Sequence, residues 1–339
     1  MTSIIQVDPL HPEPERIARA ASVLRAGGLV AFPTETVYGL GANALDADAV
    51  RRIYQAKGRP GYNPLIAHVA DEEGARRLAS RWPPLAARLA EAFWPGPLTL
   101  VVPRRPEVPD VVTAGLDTVA VRAPSHPVAR ALITAAGVPV AAPSANRFTE
   151  LSPTLARHVE RSLGGRVDLI VDGGPTTVGI ESTVVDVSGD APLLLRPGGI
   201  SAEELEPLTG PLAAMGPIAG SEARPSPGMI ERHYAPRAEL RLFDSDRRGA
   251  AADAARVESE RGRKVGALLL APLAAPIRHP ILMPTDPAAY ARALYASLHL
   301  LDEEGCDVVL VERVPGTRRW EGVADRLERG AVRVVGHGG

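Results

Sequence analysis

Pro33-Thr34-Glu35-Thr36-Val37-Tyr38-Gly39-Leu40-Gly41 follows the short apolar run Leu29-Val30-Ala31-Phe32. The pair reads as a strand running into a hydroxyl-rich, glycine-ended turn, which offers threonine hydroxyls and backbone N–H groups at a strand end. Open α/β sheets bind their ligands at such ends. Upstream, residues 12–28 carry prolines near the start, an apolar stripe of Ile17, Ala20, Ala21 and Leu24, and a closing Gly27-Gly28, which together predict a helix. Downstream, Asp46 can cap a helix over 47–56 that delivers Lys57 at its end. A buried strand at 65–69 and a helix at 84–93, stopped by Pro95-Gly96-Pro97, come next. Strands at 98–102, 119–122, 139–142, 168–171, 183–187 and 193–195 then interleave with helices at 126–136 and 153–163. This alternation predicts an α/β domain with a mixed, twisted sheet.

The pattern breaks over residues 206–236, where six prolines and four glycines fall with little apolar periodicity. The stretch reads as an extended linker of loop or polyproline II character. Its end, Ser226-Pro227-Gly228-Met229 and then His233-Tyr234-Ala235-Pro236, is richer in chemistry than a passive tether needs, and suggests a segment that folds back as a lid. Alternation resumes with strands at 239–243, 265–270 and 307–311 and helices at 246–260, 287–304 and 320–329, a small Rossmann-like α/β domain. The expected division is 1–205, a linker over 206–237, and 238–339. The second domain lacks GxGxxG and P-loop patterns and shows no catalytic constellation of its own.

At 339 residues, 45% apolar and 23% charged, the composition is that of an ordinary globular chain. It contains no apolar run long enough to span a membrane. The N-terminus is acidic and proline-bearing, unlike a signal peptide. Cys306 is the only cysteine, so no intrachain disulfide can form, and a reducing, cytoplasmic compartment fits. The net charge of −2 argues against a broad nucleic-acid footprint, so strong direct tRNA or other RNA binding is not expected. Among 36 arginines stand only two lysines, Lys57 and Lys264. A lysine kept in so arginine-rich a chain points to a need for a compact ammonium, which favours a function for Lys57. Lys264, just before an apolar strand, reads as incidental.

Five polar strand ends suggest one site for a phosphate-bearing ligand beside a small polar one. Thr36 sits in the first. Lys57-Gly58-Arg59, with Asn63 and His68, supplies two cations suited to a triphosphate by point charge and by fork. Plain helix capping by Lys57 and Arg59, and a core role for His68, are the structural alternatives. Arg122 ends a buried strand, so its charge needs a carboxylate from the protein or from a substrate. Ala141-Ala142-Pro143-Ser144-Ala145-Asn146 and Gly179-Ile180-Glu181-Ser182-Thr183, followed by Leu195-Arg196-Pro197-Gly198, complete the set. HExxH and CxxC are absent, and no protein metal site is expected.

In order along the chain, Pro33–Gly41, Lys57–His68, Trp94–Thr99, Ala114–Arg122, Ala141–Asn146, Gly179–Thr183 and Leu195–Gly198 resemble the YrdC-like family. Ser226–Met229 with His233–Pro236, and the C-terminal α/β domain, are similar to the long, two-domain form of the threonylcarbamoyl-AMP synthase family. The resemblance spans essentially the whole chain. Residues 322–330 depart mildly, lacking the more Ala- and Asn-rich helix usual before Arg326-Leu327.

The resemblance implies synthesis of L-threonylcarbamoyladenylate and pyrophosphate from L-threonine, bicarbonate and ATP. Other proteins would then transfer the threonylcarbamoyl group to the adenosine next to the anticodon of tRNA. It implies that Thr36, His68, Arg122, Ala142 and Ser182 contact threonine. Arg59, Asn63, Thr118, Ser144, Ser152, Arg196 and Tyr234 would contact the nucleotide. Lys57 and Arg59 would carry the catalytic charge stabilisation, with Mg2+ arriving on the ATP phosphates rather than in a protein cage. A different class, an RNA-binding or translation-associated module, would call for aromatic and basic side chains interleaved along a groove. Aromatics at 4% and a slightly acidic chain speak against it. Carbamoyl transfer from carbamoyl phosphate would need no adenylate, and ATP-dependent pyrophosphate release separates the two.

Overall fold

The structure is a computed structural model, which describes residues 2–214 and 234–334. The first unit opens with β1 (Ser3–Gln6), α1 (Pro14–Arg25), β2 (Val30–Pro33), β3 (Tyr38–Asn43), α2 (Ala47–Lys57) and β4 (Ile66–His68). It continues through α3 (Glu72–Arg76), α4 (Pro84–Phe93), β5 (Leu98–Pro103), α5 (Asp110–Thr113), β6 (Thr118–Arg122), α6 (Pro127–Ala136) and β7 (Val140–Ala141). It closes with α7 (Ala156–Leu163), β8 (Leu169–Asp172), β9 (Thr183–Asp186), β10 (Leu193–Arg196), α8 (Ala202–Thr209) and β11 (Ala213–Ala214). Its strands form one mixed sheet in the order β1-β8-β2-β3-β7-β4-β6-β5-β9-β10-β11. Apolar clusters built on Ile53, Leu65 and Leu100 and on Leu24, Phe32 and Leu132 pack against this sheet.

The second unit runs β12 (Glu239–Phe243), α9 (Arg248–Glu260), β13 (Val265–Leu269), β14 (His279–Leu282), α10 (Pro287–Glu303), β15 (Val308–Glu312), α11 (Glu321–Gly330) and β16 (Arg333–Val334). Its sheet is wholly parallel, in the order β14-β13-β15-β12-β16, and wound in both directions from β12 and β15. The predicted Rossmann-like form is therefore present. The two units share a core, because Val37, Leu151 and Ile180 of the first belong to one buried cluster with Leu294, Leu298 and Trp320 of the second. Glycines permit this close approach. A Cβ on Gly322 would lie 2.6 Å from Gly198 O, and one on Gly179 would lie 2.5 Å from Ala291 O.

Two expectations change. The segment Pro33–Gly41 is not a turn throughout: Tyr38–Asn43 is β3, paired antiparallel with β2, so the turn is only Thr34–Val37. The expected linker over 206–237 also begins too early. Residues 206–209 complete α8, which starts with a Ser201–Glu204 capping box, and 213–214 pair with β10. Residues 215–233 lie outside the described residues, and with them the Ser226–Met229 and His233 parts of the lid reading. Among the described residues no helix is long and apolar enough to cross a membrane.

Candidate active site

The turn Thr34–Val37 is fixed by its own hydroxyls. Thr34 Oγ1 donates to Val37 O at 2.7 Å and lies 2.8 Å from Thr36 Oγ1. From the end of β6, Arg122 reaches the same turn. Its Nη1 donates to Thr36 Oγ1 at 2.9 Å, its Nε donates to Gly96 O at 3.2 Å, and its Nη2 lies 2.7 Å from Glu35 Oε1. The last contact is one of opposite charges without hydrogen-bond alignment. Arg122 thus finds the carboxylate it required, and it is a protein one. Burial pushes the Glu35 carboxyl up, but the adjoining guanidinium outweighs burial and holds it below the usual range.

His68 ends β4 beside Arg122. Burial, reinforced by the Arg122 charge, lowers its pKa to about 3, so the imidazole is neutral at physiological pH. Its Nδ1 is 3.2 Å from Ile66 O.

On the other flank, α2 is capped by Asp46, which accepts from the Asp48 and Ala49 N–H groups at 3.0 and 3.1 Å. The helix ends on Gly58 at φ 63°, a left-handed position that suits glycine. That ending turns Arg59 inward, where its Nε and Nη2 donate to Asn63 O and Pro64 O at 3.2 and 3.0 Å. Arg196 donates from Nη2 to Ser182 O and Ser182 Oγ at 2.9 and 3.0 Å.

These flanks face one narrow cavity of about 50 Å³. Thr36, His68, Arg122, Ala142 and Ser182 line it together with Arg59, Ser144, Arg196 and Tyr234. The remaining expected residues stand outside the lining. Lys57 is behind it: its buried ammonium donates to Ser144 O at 2.6 Å and to Asn146 O, so it holds the loop that carries Ser144. Burial, and then the Arg59 charge, pull its pKa well below that of a free lysine. Asn63 is fully buried, and neither polar atom of its side chain has a hydrogen-bond partner among the described residues. Thr118 starts β6, at the end opposite Arg122. Ser152 is buried and donates from Oγ to Glu181 Oε1.

Glu181, quoted in a strand-end motif but given no role by sequence reasoning, lines the cavity and anchors the second unit. It accepts from Arg326 Nε at 2.7 Å and from Tyr295 OH at 3.2 Å. Arg326 comes from α11 and its side chain has no exposed surface; it also donates to Pro197 O at 2.7 Å. Burial raises the Glu181 carboxyl, and Arg326 with Arg196 brings it below the ordinary range. Tyr234 crosses the cavity at φ 63°, its ring centroid 5.3 Å from the Arg326 guanidinium and 5.9 Å from the Tyr295 ring. The second domain, which shows no catalytic constellation of its own, therefore supports this site through Arg326 and Tyr295. The Arg326-Leu327 pair within the resemblance was the available signal; Tyr295, an aromatic on an amphipathic helix, gave none.

Among the described residues no group of three or more His, Cys, Asp or Glu side chains is placed to hold a metal ion. The cavity thus offers a carboxylate-binding arginine, hydroxyls and a neutral imidazole on one flank, and two further arginines on the other.

A family model described as telomere recombination, covering the Sua5, YciO and YrdC proteins, matches residues 22–198. A second, described as the C-terminal domain of threonylcarbamoyl-AMP synthase, matches residues 200–332. The chain is 44% identical to the threonylcarbamoyl-AMP synthase of Pyrococcus abyssi, with 97% of each chain covered. It is 43% identical to that of Bacillus subtilis, over 96% of this chain and 95% of the relative. The crystal structure of P. abyssi Sua5 complexed with L-threonine superposes with a TM-score of 0.93 at 43% identity, over 98% of this chain and 99% of the other.

Proposed function

The chain belongs to the threonylcarbamoyl-AMP synthase family, and from that premise we propose that it joins L-threonine, bicarbonate and ATP into L-threonylcarbamoyladenylate, releasing pyrophosphate. The product would supply the proteins that modify the adenosine next to the anticodon in tRNA. One observation carries the reading: a carboxylate-binding flank and an arginine-rich flank line the same cavity.

Threonine would place its carboxylate at Arg122, where the guanidinium can exchange its loosely aligned contact with Glu35 for an aligned one. Its hydroxyl and methyl would meet Thr36, His68, Ser182 and Ala142. ATP would lie along Arg59, Ser144, Arg196 and Tyr234, with Asn63, Thr118 and Ser152 reached as the narrow cavity widens. The unpartnered amide of Asn63 is consistent with a ligand contact. Mg2+ would enter on the ATP phosphates, because Glu181 of the cavity wall and Glu35 behind Arg122 already have arginine partners.

The threonine amine would add to carbon dioxide and release one N–H proton to solvent, or add to bicarbonate, whose hydroxyl leaves with that proton as water. The carbamate oxygen would then attack the α-phosphorus as its bond to the pyrophosphate oxygen breaks. No side chain need take up a proton at the phosphorus, so Lys57 and Arg59 would act by charge and by position.

The test is pyrophosphate release with ATP and bicarbonate, offering each proteinogenic amino acid in turn. Release should depend on threonine. Serine, one methyl smaller, should be disfavoured by roughly 1–3 kcal/mol and so retain weak activity. Equal turnover with valine, or without any amino acid, overturns the assignment.

A further inference from the structure

Thr99 lies in β5, which runs parallel to β9 with Thr99 opposite Val184. Side chains of a strand alternate between faces, so Val101 and Val184 share the face of Thr99, and Ser182, one residue before β9, falls on the same side. Val101 and Val184 belong there to a small buried cluster with Ile66, Ala120 and Leu195. Thr99 has no exposed surface, and it puts a hydroxyl where a valine would extend that cluster. It stands behind the cavity wall to which Ile66 and Ser182 belong.

The Thr99 hydroxyl has one hydrogen-bond partner among the described residues: its Oγ1 lies 2.8 Å from Ser182 Oγ. Were Ser182 the donor, Thr99 would keep a buried O–H with no acceptor, which costs the full desolvation of that group. Thr99 is therefore the donor. Arg196 Nη2 also donates to Ser182 Oγ, at 3.0 Å. A hydroxyl oxygen has two lone pairs, and both are then filled. The Ser182 proton, left without a protein acceptor among the described residues, is free for a ligand in the cavity. We propose that Thr99 is a positioning residue which, with Arg196, makes Ser182 a dedicated hydrogen-bond donor to the side-chain hydroxyl of the amino-acid substrate. A hydroxyl oxygen accepts that bond and a methyl group in its place cannot, so Thr99 acts on the choice of amino acid without touching it. The inference rests on threonine being the substrate.

The test compares Thr99→Val and Thr99→Ser with the parent, in the full chain. Valine keeps the β-branched shape that suits the strand, and serine keeps the hydroxyl. Calorimetry gives the affinity for L-threonine and, as a competing ligand, for L-2-aminobutyrate, which is threonine without its hydroxyl oxygen. Kinetics of pyrophosphate release give KM and kcat. Thr99→Val should weaken threonine binding and raise KM for threonine by about three- to tenfold, the range of one neutral hydrogen bond. Its kcat at saturating threonine, its KM for ATP and its affinity for 2-aminobutyrate should match the parent, and Thr99→Ser should bind threonine almost as the parent does. Unchanged threonine affinity in Thr99→Val, equal weakening of both amino acids, or a Thr99→Ser variant as impaired as Thr99→Val overturns the proposal, since Thr99 would then serve packing alone. A parent protein that neither binds threonine nor needs it for pyrophosphate release refutes the functional reading itself, and the inference with it.

Discussion

Glu35 and Arg122 are each tolerable in the interior because of the other, and this gives Arg122 two roles that can be separated. Removing one partner of a buried pair typically costs about 3–5 kcal/mol, since it strands a charge. In the parent protein the Glu35 pKa is depressed, so its contribution to stability is present at neutral pH and is lost only as pH falls through and below the ordinary carboxylate range. In Arg122→Ala burial, the largest influence, is opposed only by backbone N–H groups, and the carboxyl pKa rises. The sign then reverses: the variant should gain stability relative to the parent as pH falls from 7.5 to 5, which urea unfolding at the two pH values would measure. Adding Glu35→Gln to Arg122→Ala should recover most of the lost stability and none of the threonine affinity. A charged hydrogen bond is worth about 1.5–3 kcal/mol, so threonine should bind roughly 10- to 150-fold more weakly in both variants by calorimetry. Recovery of affinity in the double variant would show that Arg122 only supports the turn. Lys57 presents the complementary case. Its ammonium fits between Ser144 O and Asn146 O, a buried space shaped for a compact donor and not for a planar fork. Lys57→Arg should therefore lower kcat by about tenfold or more, roughly 1.4 kcal/mol in the barrier, with the displaced Ser144 loop as cause. An unchanged kcat would remove any special need for lysine.

Among the elements, β3 shows why a strand can look like a turn. Gly39 and Gly41 mark flexibility in sequence, yet in β3 they serve close packing: a Cβ on Gly41 would lie 2.7 Å from the Phe32 ring and 2.8 Å from Val140 Cγ1. Gly41→Ala should accordingly cost about 1–3 kcal/mol by overpacking, read as a lower urea midpoint at unchanged slope. A neutral result would mean that Phe32 and Val140 can yield, and that the glycine is there for conformational freedom after all. The same contest between local signals explains α8. Pro207 and Pro211 suggested a linker, but Ser201 and Glu204 form a capping box and the helix runs through Pro207. Long apolar-periodic segments such as α2 and α10, and uniformly buried strands such as β13 and β15, were legible because burial imposes their pattern. The strand-end site residues were legible for a related reason: a polar group closing an apolar strand needs a partner. Glu35 as the partner of Arg122 was not, because nothing in a sequence says which of two neighbouring acidic or hydroxyl side chains turns inward.

For the molecule as a whole, the decisive fact is that the second unit reaches the first cavity through Glu181. Arg326 and Tyr295 hold this carboxylate, and Arg326 also faces the Tyr234 ring, so the α/β domain at the C-terminus braces, from behind the lining, a wall that the first domain and Tyr234 build. The shared cluster of Val37, Leu151 and Ile180 with Leu294 and Leu298 argues the same way, because separating the units would expose apolar surface beside the turn that carries Thr36. A double-mutant cycle measures how far this coupling extends. Arg326→Met leaves Glu181 buried without its directly bonded cation, with only the Arg196 charge nearby, and should destabilise the protein by about 3–5 kcal/mol, whereas Arg326→Met with Glu181→Gln removes both charges and should recover a large part of that loss. Turnover should follow a different course. Glu181 would then draw on Arg196, the arginine of the nucleotide flank, and repel phosphate charge, so the single variant should raise KM for ATP more than KM for threonine, and the double variant should restore ATP binding along with stability. If the two losses simply add, or if ATP and threonine are affected alike, Arg326 is a rivet between domains and the second unit has no electrostatic part in the site.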